Sequence, residues 1–159
     1  MKRFQIRTAV ESDLPAIHEI VPRFVDFDPP PWRDASSIVN STRQFLAERV
    51  ERRPVGTMVR VAHDESSTGG AVLGFIHCEI HRDPFTGEPK GYVSEFAVRA
   101  EAEGTGVAAQ LMEEAEVWAR ENGARWLSLN VFERNARARR FYEREGFVPE
   151  SVTYLKVLR

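Results

Sequence analysis

The sequence is short of cysteine, of lysine, of net charge and of long apolar runs, and each shortage removes a class of function. The single thiol, Cys78, has no partner for an internal disulfide and no second cysteine for a Cys-rich metal site, so a reducing, cytoplasmic setting is the simplest expectation. Set in an apolar strand pattern, Cys78 reads as packing rather than as a nucleophile. No His, Cys and carboxylate grouping has metal-ligand spacing, so no metal is expected. The formal net charge of -2 arises from 22 basic and 24 acidic residues, and no basic stripe is interleaved with aromatics. Neither nucleic acid nor an anionic membrane surface is therefore an expected partner. The first residues, MKRFQIRTAVESDLPAI, are broken by charge throughout and hold no apolar stretch of signal-peptide or membrane-span length. Arginines outnumber lysines 19 to 3, a skew that genomic composition explains as readily as function.

What is present fits one domain over residues 1–159. A chain of this length buries about two thirds of its unfolded surface, and 42% hydrophobic with 29% charged residues is the balance of a soluble globular protein. FQIRTA alternates like a strand. VESDLPAIHEIVPRF follows at helical spacing, with Ser12 or Asp13 as N-cap and Leu14, Ile17, Ile20 and Val21 on one face. The proline-rich DFDPPPWRD breaks the helix and reads as a lid-like loop, after which ASSIVNSTRQFLAERVERR resumes it. GTMVRVAHD, the turn ESSTGG and AVLGFIHCEI predict a β-hairpin, which DPFTGEPKG joins to a third antiparallel strand, YVSEFAV. Val107, Leu111, Met112, Ala115, Trp118 and Ala119 then form a helical stripe that Asn122-Gly123 closes. RWLSLNVF predicts a strand, ARARRFYERE a short helix ended by Gly146, and FVPESVTYLKVL a closing strand or hairpin. The order β-α-α-β-β-β-α-β-α-β implies an α/β (α+β) mixed sheet with helices packed on it.

The stretch AEGTGVAAQLM, Ala102 to Met112, places two glycines at the entrance of the main helix. Amides there lack intrahelical partners and the helix dipole adds partial positive charge, so an anion is favoured once no side chain blocks it. A nucleotide-binding loop of the Walker type needs Lys and Ser or Thr after its last glycine, and Val107-Ala108-Ala109 stands there instead. Gly104, Gly106 and Ala109 satisfy G-x-G-x-x-A, but the dinucleotide fold needs that fingerprint in its first βα unit, with several units behind it. A glycine turn without a ligand remains the competing reading of the loop taken alone.

After the next strand, NARARRFYEREGF sets Asn135, Ala138 and Tyr142 on one helical face. Together the two segments resemble the GNAT superfamily of acyl-CoA-dependent N-acetyltransferases. EGTGVA is similar to that family's pyrophosphate loop, Gln/Arg-x-x-Gly-x-Gly/Ala, and NARARRFYEREGF to its N-x-x-A-x-x-x-Y-x-x-x-G-F segment. The likeness extends from IRTAVESDLPAI to the closing strand. It implies a mostly antiparallel central sheet of about six to seven strands flanked by about four helices.

The resemblance further implies acetyl-CoA as cosubstrate, its pyrophosphate wrapped by the amides of Glu103, Gly104, Thr105, Gly106, Val107 and Ala108. Backbone groups of Phe96, Ala97 and Val98 would hold the pantetheine arm like an added strand, with the Val98 amide as oxyanion donor from a bulged strand. Asn135, with Ala138 beside it on the helix, would touch the pantetheine or thioester end; a helix N-cap is its other reading. Tyr142 would protonate the departing thiolate, since a tyrosine of pKa about 10 keeps its proton at neutral pH. Glu103 departs from the pattern, because the family has Gln or Arg there and a carboxylate opposes a diphosphate. Arg134, Arg137 and Arg139 are candidates for the outer phosphates, against the plainer reading of a solvated charge run.

An attacking amine must first lose a proton, and Glu95, alternating with Val93 and Ala97, is the candidate base. His77, between Ile76 and Cys78, is the other. The acceptor, a primary amine of a small molecule or peptide, is expected against the first helices, where FVDFDPPPWRD offers Asp26, Asp28 and Asp34 beside Phe27 and Trp32. The expected reaction is direct transfer in a ternary complex. The alternative is an acyl-CoA-binding or regulatory module without useful chemistry, which Glu103 supports best. For oligomeric state a homodimer is only the general prior.

Overall fold

The computed structural model describes residues 4–66 and 70–158. Strand β1, Phe4–Thr8, leads through a 3-10 turn, Glu11–Asp13, into helix α1, Leu14–Ile20. Asp13 takes the N-cap position, but its carboxylate serves other donors: the Val10 amide at 2.9 Å and Arg7 at 2.7 and 2.8 Å. The helix expected to run on through Phe24 tightens into a second 3-10 turn, Val21–Val25, because Pro22 has no amide proton to donate. Helix α2, Ala35–Arg52, is capped by Asp34, which accepts from the Ser37 amide at 2.7 Å.

Strands β2, Thr57–Asp64, β3, Val72–Arg82, and β4, Pro89–Val98, form the expected antiparallel meander. The ESSTGG turn falls partly on residues 67–69, outside the described residues. Helix α3, Val107–Glu121, crosses to β5, Leu127–Leu129, which runs parallel to β4, and helix α4, Ala136–Arg144, follows. The sheet order is β1-β2-β3-β4-β5.

Two cores lie on opposite faces of this sheet. Ile17, Ile20, Leu46 and Val50 from α1 and α2 pack with Val59, Val61 and Phe75 on one side. Val107, Leu111, Met112 and Ala115 from α3 pack with Ala62, Leu73, Ile76 and Cys78 on the other. Strand β3, covered on both faces, is buried from Val72 to Cys78 without alternation. The α3 residues recur at helical spacing because one face alone meets the sheet. Leu111→Ala is expected to destabilise the fold by about 2–5 kcal/mol, since the fully buried site cannot collapse around the void. Urea unfolding measures it; a loss well under 1 kcal/mol would show α3 to be loosely packed.

The sheet has five strands among the described residues, not six or seven. RWLSLNVF pairs only over Leu127–Leu129, and FVPESVTYLKVL forms no strand. Strand status needs a partner edge. A ladder of three residues on β5 offers little to pair with, Pro149 removes one donor, and Val148, Val152 and Tyr154 lie exposed.

Candidate active site

The site is made by the way β4 and β5 separate. Their ladder covers only Gly91–Val93 against Leu127–Leu129. Gly91 permits that close approach, since a Cβ there would stand 2.9 Å from both Ala119 Cβ and Leu127 Cδ1. One residue later β4 bulges: His77 pairs with Glu95 and Cys78 with Val93, so Ser94 is the extra residue. From Ser94 to Val98 the edge of β4 that faces β5 has no strand partner among the described residues, although the Val98 carbonyl accepts from Arg23 Nε at 3.3 Å. A cavity of about 540 Å³ opens in the gap, bounded by Ser94, Phe96, Ala97 and Val98 on β4 and by Leu129, Asn130 and Phe132 after β5.

Gly104, at one end of this cavity, has φ 72° and Gly106 has φ 90°, backbone that favours glycine. A Cβ on either would meet nothing within 4 Å, so the space before the loop is open. Thr105 turns its hydroxyl back to the Ala102 carbonyl at 2.6 Å, and Val107 buries its side chain in the α3 core. Only their main chain therefore addresses the loop. Gly106 is the N-cap of α3 and supplies no side-chain cap, which leaves the first-turn amides available. The amides of Glu103 and Thr105, expected to face the ligand, donate instead to the Ala100 and Ala102 carbonyls at 3.2 and 3.3 Å, because the chain tightens into turns there. The donors of this cradle that fit a diphosphate are those of Gly104, Gly106, Val107 and Ala108.

Helix α4 forms the opposite wall. Asn135 is its N-cap, accepting from the Ala138 amide at 3.2 Å, and both residues line the cavity. Tyr142 lines it two turns on, its ring 6.4 Å from Phe96, 5.6 Å from Phe141 and 5.8 Å from Phe147. Burial pushes its hydroxyl up to about 12. Arg137 reaches Asp26 at 2.8 Å and Glu103 at 3.4 Å. Arg134 pairs with Asp28 at 3.6 Å, and Arg139 turns away to Glu133 at 3.7 Å.

Glu95 does not share a face with both Val93 and Ala97 as its alternation predicts, since Val93 packs on the α3 side of the sheet and Ala97 on the α1 and α2 side, and Glu95 is not on the cavity wall. Its Oε2 lies 2.5 Å from His77 Nδ1, and the His77 ring, fully buried, packs 5.6 Å from Phe45 of α2. The bulge at Ser94 is the physical reason: it shifts the strand's alternation, so Ser94 meets the cavity and Glu95 meets α2. Burial, aided by Glu95, pushes the Cys78 thiol up, in keeping with a packing role.

The acidic loop is also engaged. Asp26 is held by Arg23 and Arg137, Asp28 by Arg134, and Asp34 by Ser36 and Ser37, whose hydrogen bonds bring its carboxyl down to about 2. Asp26 and Asp34 are thus committed to partners within the protein, whereas Asp28 is exposed and its pair with Arg134 is a loose surface contact. Phe27 instead packs on Phe132 at 5.5 Å, and with Phe24 and Ile38 gives part of the cavity an apolar lining.

Sequence reasoning passed over Arg23, Ser94 and Tyr92. Tyr92 lines the cavity, stacks on His81 at 4.8 Å and accepts from Asn130 Nδ2 at 3.2 Å. Burial, then the nearby carboxylate of Glu95, raises its hydroxyl. Its only signal was an aromatic in a strand, which core tyrosines give equally.

This sheet, split beside a glycine-led helix, is the fold of solved N-acetyltransferases. A GCN5-related N-acetyltransferase from Ralstonia eutropha JMP134 superposes with a TM-score of 0.74 at 20% identity, covering 98% of this chain and 99% of that one. An aminoglycoside N-acetyltransferase, AAC(6')-Iy in complex with CoA, does so with a TM-score of 0.72 at 15% identity, over 100% of this chain and 97% of the other. The model of the Acetyltransferase (GNAT) family matches residues 17–147, and the chain belongs to that family. It is also 34% identical over 79 residues to the uncharacterized N-acetyltransferase YycN of Bacillus subtilis (strain 168), an alignment spanning 50% of this chain and 51% of that protein. No helix among the described residues is long and apolar enough to cross a membrane, and they contain no group of three or more His, Cys, Asp or Glu that could hold a metal.

Proposed function

We propose that the protein is an acetyl-CoA-dependent N-acetyltransferase that carries an acetyl group to a primary amine by direct transfer in a ternary complex. The observation that carries this reading is the continuity of one cavity: an unpartnered β4 edge, Ser94 to Val98, runs into the side-chain-free cradle of Gly104 and Gly106. The edge suits the two amides of a pantetheine arm, which can join a sheet as a strand does, and the cradle suits a diphosphate. The thioester supplies an activated acyl group. The acceptor reacts as the free amine: its nitrogen bonds the thioester carbonyl carbon as the C–S bond breaks. Tyr142 gives its Oη proton to the leaving sulfur and regains one from the proton that the nitrogen sheds through solvent, and the amide of Val98 steadies the carbonyl oxygen. The apolar lining from Phe24, Phe27, Ile38 and Phe132 favours an acceptor whose amine is carried on an apolar body.

Thiol release from acetyl-CoA over a panel of polyamines, aminoglycosides, amino acids and peptides tests the assignment. Release with at least one amine supports it, whereas CoA binding without release on any acceptor would mark a carrier-binding module instead. Glu95 is tested separately. Engaged by His77 outside the cavity, it is expected not to be the group that accepts the amine proton. Glu95→Gln should thus leave the acidic limb of the kcat/KM pH profile in place. A limb that disappears in this variant would restore Glu95 as the base.

A further inference from the structure

Arg23 is the least expected side chain in the cleft, since it comes from the 3-10 turn after α1 and no motif surrounds it. Its Nε donates to the carbonyl of Val98, the last residue of β4, at 3.3 Å. That contact aims the guanidinium at the start of the glycine loop. Its two terminal nitrogens reach Asp26 and Glu103. From across the cleft Arg137 meets the same two carboxylates, Asp26 at 2.8 Å and Glu103 at 3.4 Å. Two guanidiniums and two carboxylates, drawn from three distant segments, thus form a closed neutral ring at the end of the cavity.

Three members of the ring line the same cavity as Gly104, where the glycine cradle favours an anion. Glu103 directly precedes Gly104, and Arg23, Glu103 and Arg137 all line the cavity. A diphosphate in the cradle brings negative charge to the two arginines and repels the two carboxylates. Arginine binds phosphate oxygens with paired, charge-assisted hydrogen bonds, so it can exchange one oxyanion for another without changing its geometry. Glu103, 43% exposed, has solvent to turn into.

We propose that Arg23 and Arg137 form a two-guanidinium clamp on the diphosphate of the acyl carrier, and that Glu103 and Asp26 are placeholders which the diphosphate displaces. This rests on the acetyl-CoA reading above. It also accounts for a carboxylate at the position where the family has Gln or Arg. Glu103 opposes the bound diphosphate, and before the diphosphate arrives it neutralises the two cations that face each other there.

Calorimetry tests the clamp with CoA, with dephospho-CoA, which keeps the diphosphate but lacks the 3′-phosphate, and with pantetheine, which lacks both. Arg23→Gln is expected to weaken CoA and dephospho-CoA alike, by about tenfold or more, and to leave pantetheine unchanged. Glu103→Gln is expected to act in the opposite direction, tightening both nucleotides by about threefold or more. Arg23→Lys, which keeps the charge without the fork, should fall between wild type and Arg23→Gln and guards against a folding defect. The clamp is overturned if Arg23→Gln binds CoA as wild type does, if its penalty vanishes with dephospho-CoA, or if Glu103→Gln fails to tighten binding. A wild-type protein that binds neither nucleotide removes the acetyl-CoA reading itself. That result is distinct from wild-type binding which ignores Arg23, where the reading survives and only the clamp falls.

Discussion

Tyr142→Phe is expected to lower kcat by about 10²–10⁴ while the KM for acetyl-CoA moves by no more than about threefold. The split follows from what the substitution removes. The ring packs on Phe96, Phe141 and Phe147, and phenylalanine keeps all three contacts. Burial raises the hydroxyl to about 12, and among the described residues no cation or hydrogen-bond donor offsets it. It is thus fully protonated at neutral pH and present as a donor when negative charge develops on the departing sulfur. Sign matters for the pH profile: a group titrating near 12 stays protonated as pH rises, so Tyr142 should produce no loss of kcat up to about pH 9. Equal losses in kcat and in acetyl-CoA affinity would make Tyr142 a binding residue, and an unchanged kcat would remove it from the chemistry.

The parts of this site that were legible in the sequence are those written by local geometry. The α3 stripe from Val107 to Ala119 repeats because one helix face meets the sheet, and Gly104 and Gly106 are legible because positive φ has few other occupants. Asn135, Ala138 and Tyr142 share a face for the same helical reason, and all three line the cavity. What was not legible depends on partners far along the chain. An extra residue at Ser94 leaves the run Tyr92 to Ala97 looking like an ordinary strand, although it decides that Glu95 meets His77 and not the cavity. The alternation of FVPESVTYLKVL is strand-like in itself, but a strand exists only where another edge receives it. Glu103 could be seen to carry the wrong sign. That Arg23, 80 residues earlier, answers it could not be seen, because a lone arginine in VPRF has no local signature of its partner.

The glycine cradle yields the second large effect, and a glycine beyond the far end of helix α3 supplies the control. Gly104→Val and Gly106→Val are each expected to weaken CoA binding by at least about a hundredfold. Both glycines hold positive φ, at 72° and 90°, and a side chain on either would enter open space rather than protein. The backbone strain costs about 1–2 kcal/mol of stability in each case. Strain alone could be blamed for lost binding if there were no way to separate the two. Gly123 allows it: φ is 79°, a Cβ there also meets nothing within 4 Å, and it lies just past the other end of the same 15-residue helix. That places it about 22 Å from the cradle. Gly123→Val should therefore lose comparable stability in a thermal melt and keep wild-type affinity for CoA. If all three variants lose affinity together, the loop contributes through folding alone and the diphosphate must be held elsewhere. If only the first two do, the space in front of Gly104 and Gly106 is where the anion sits.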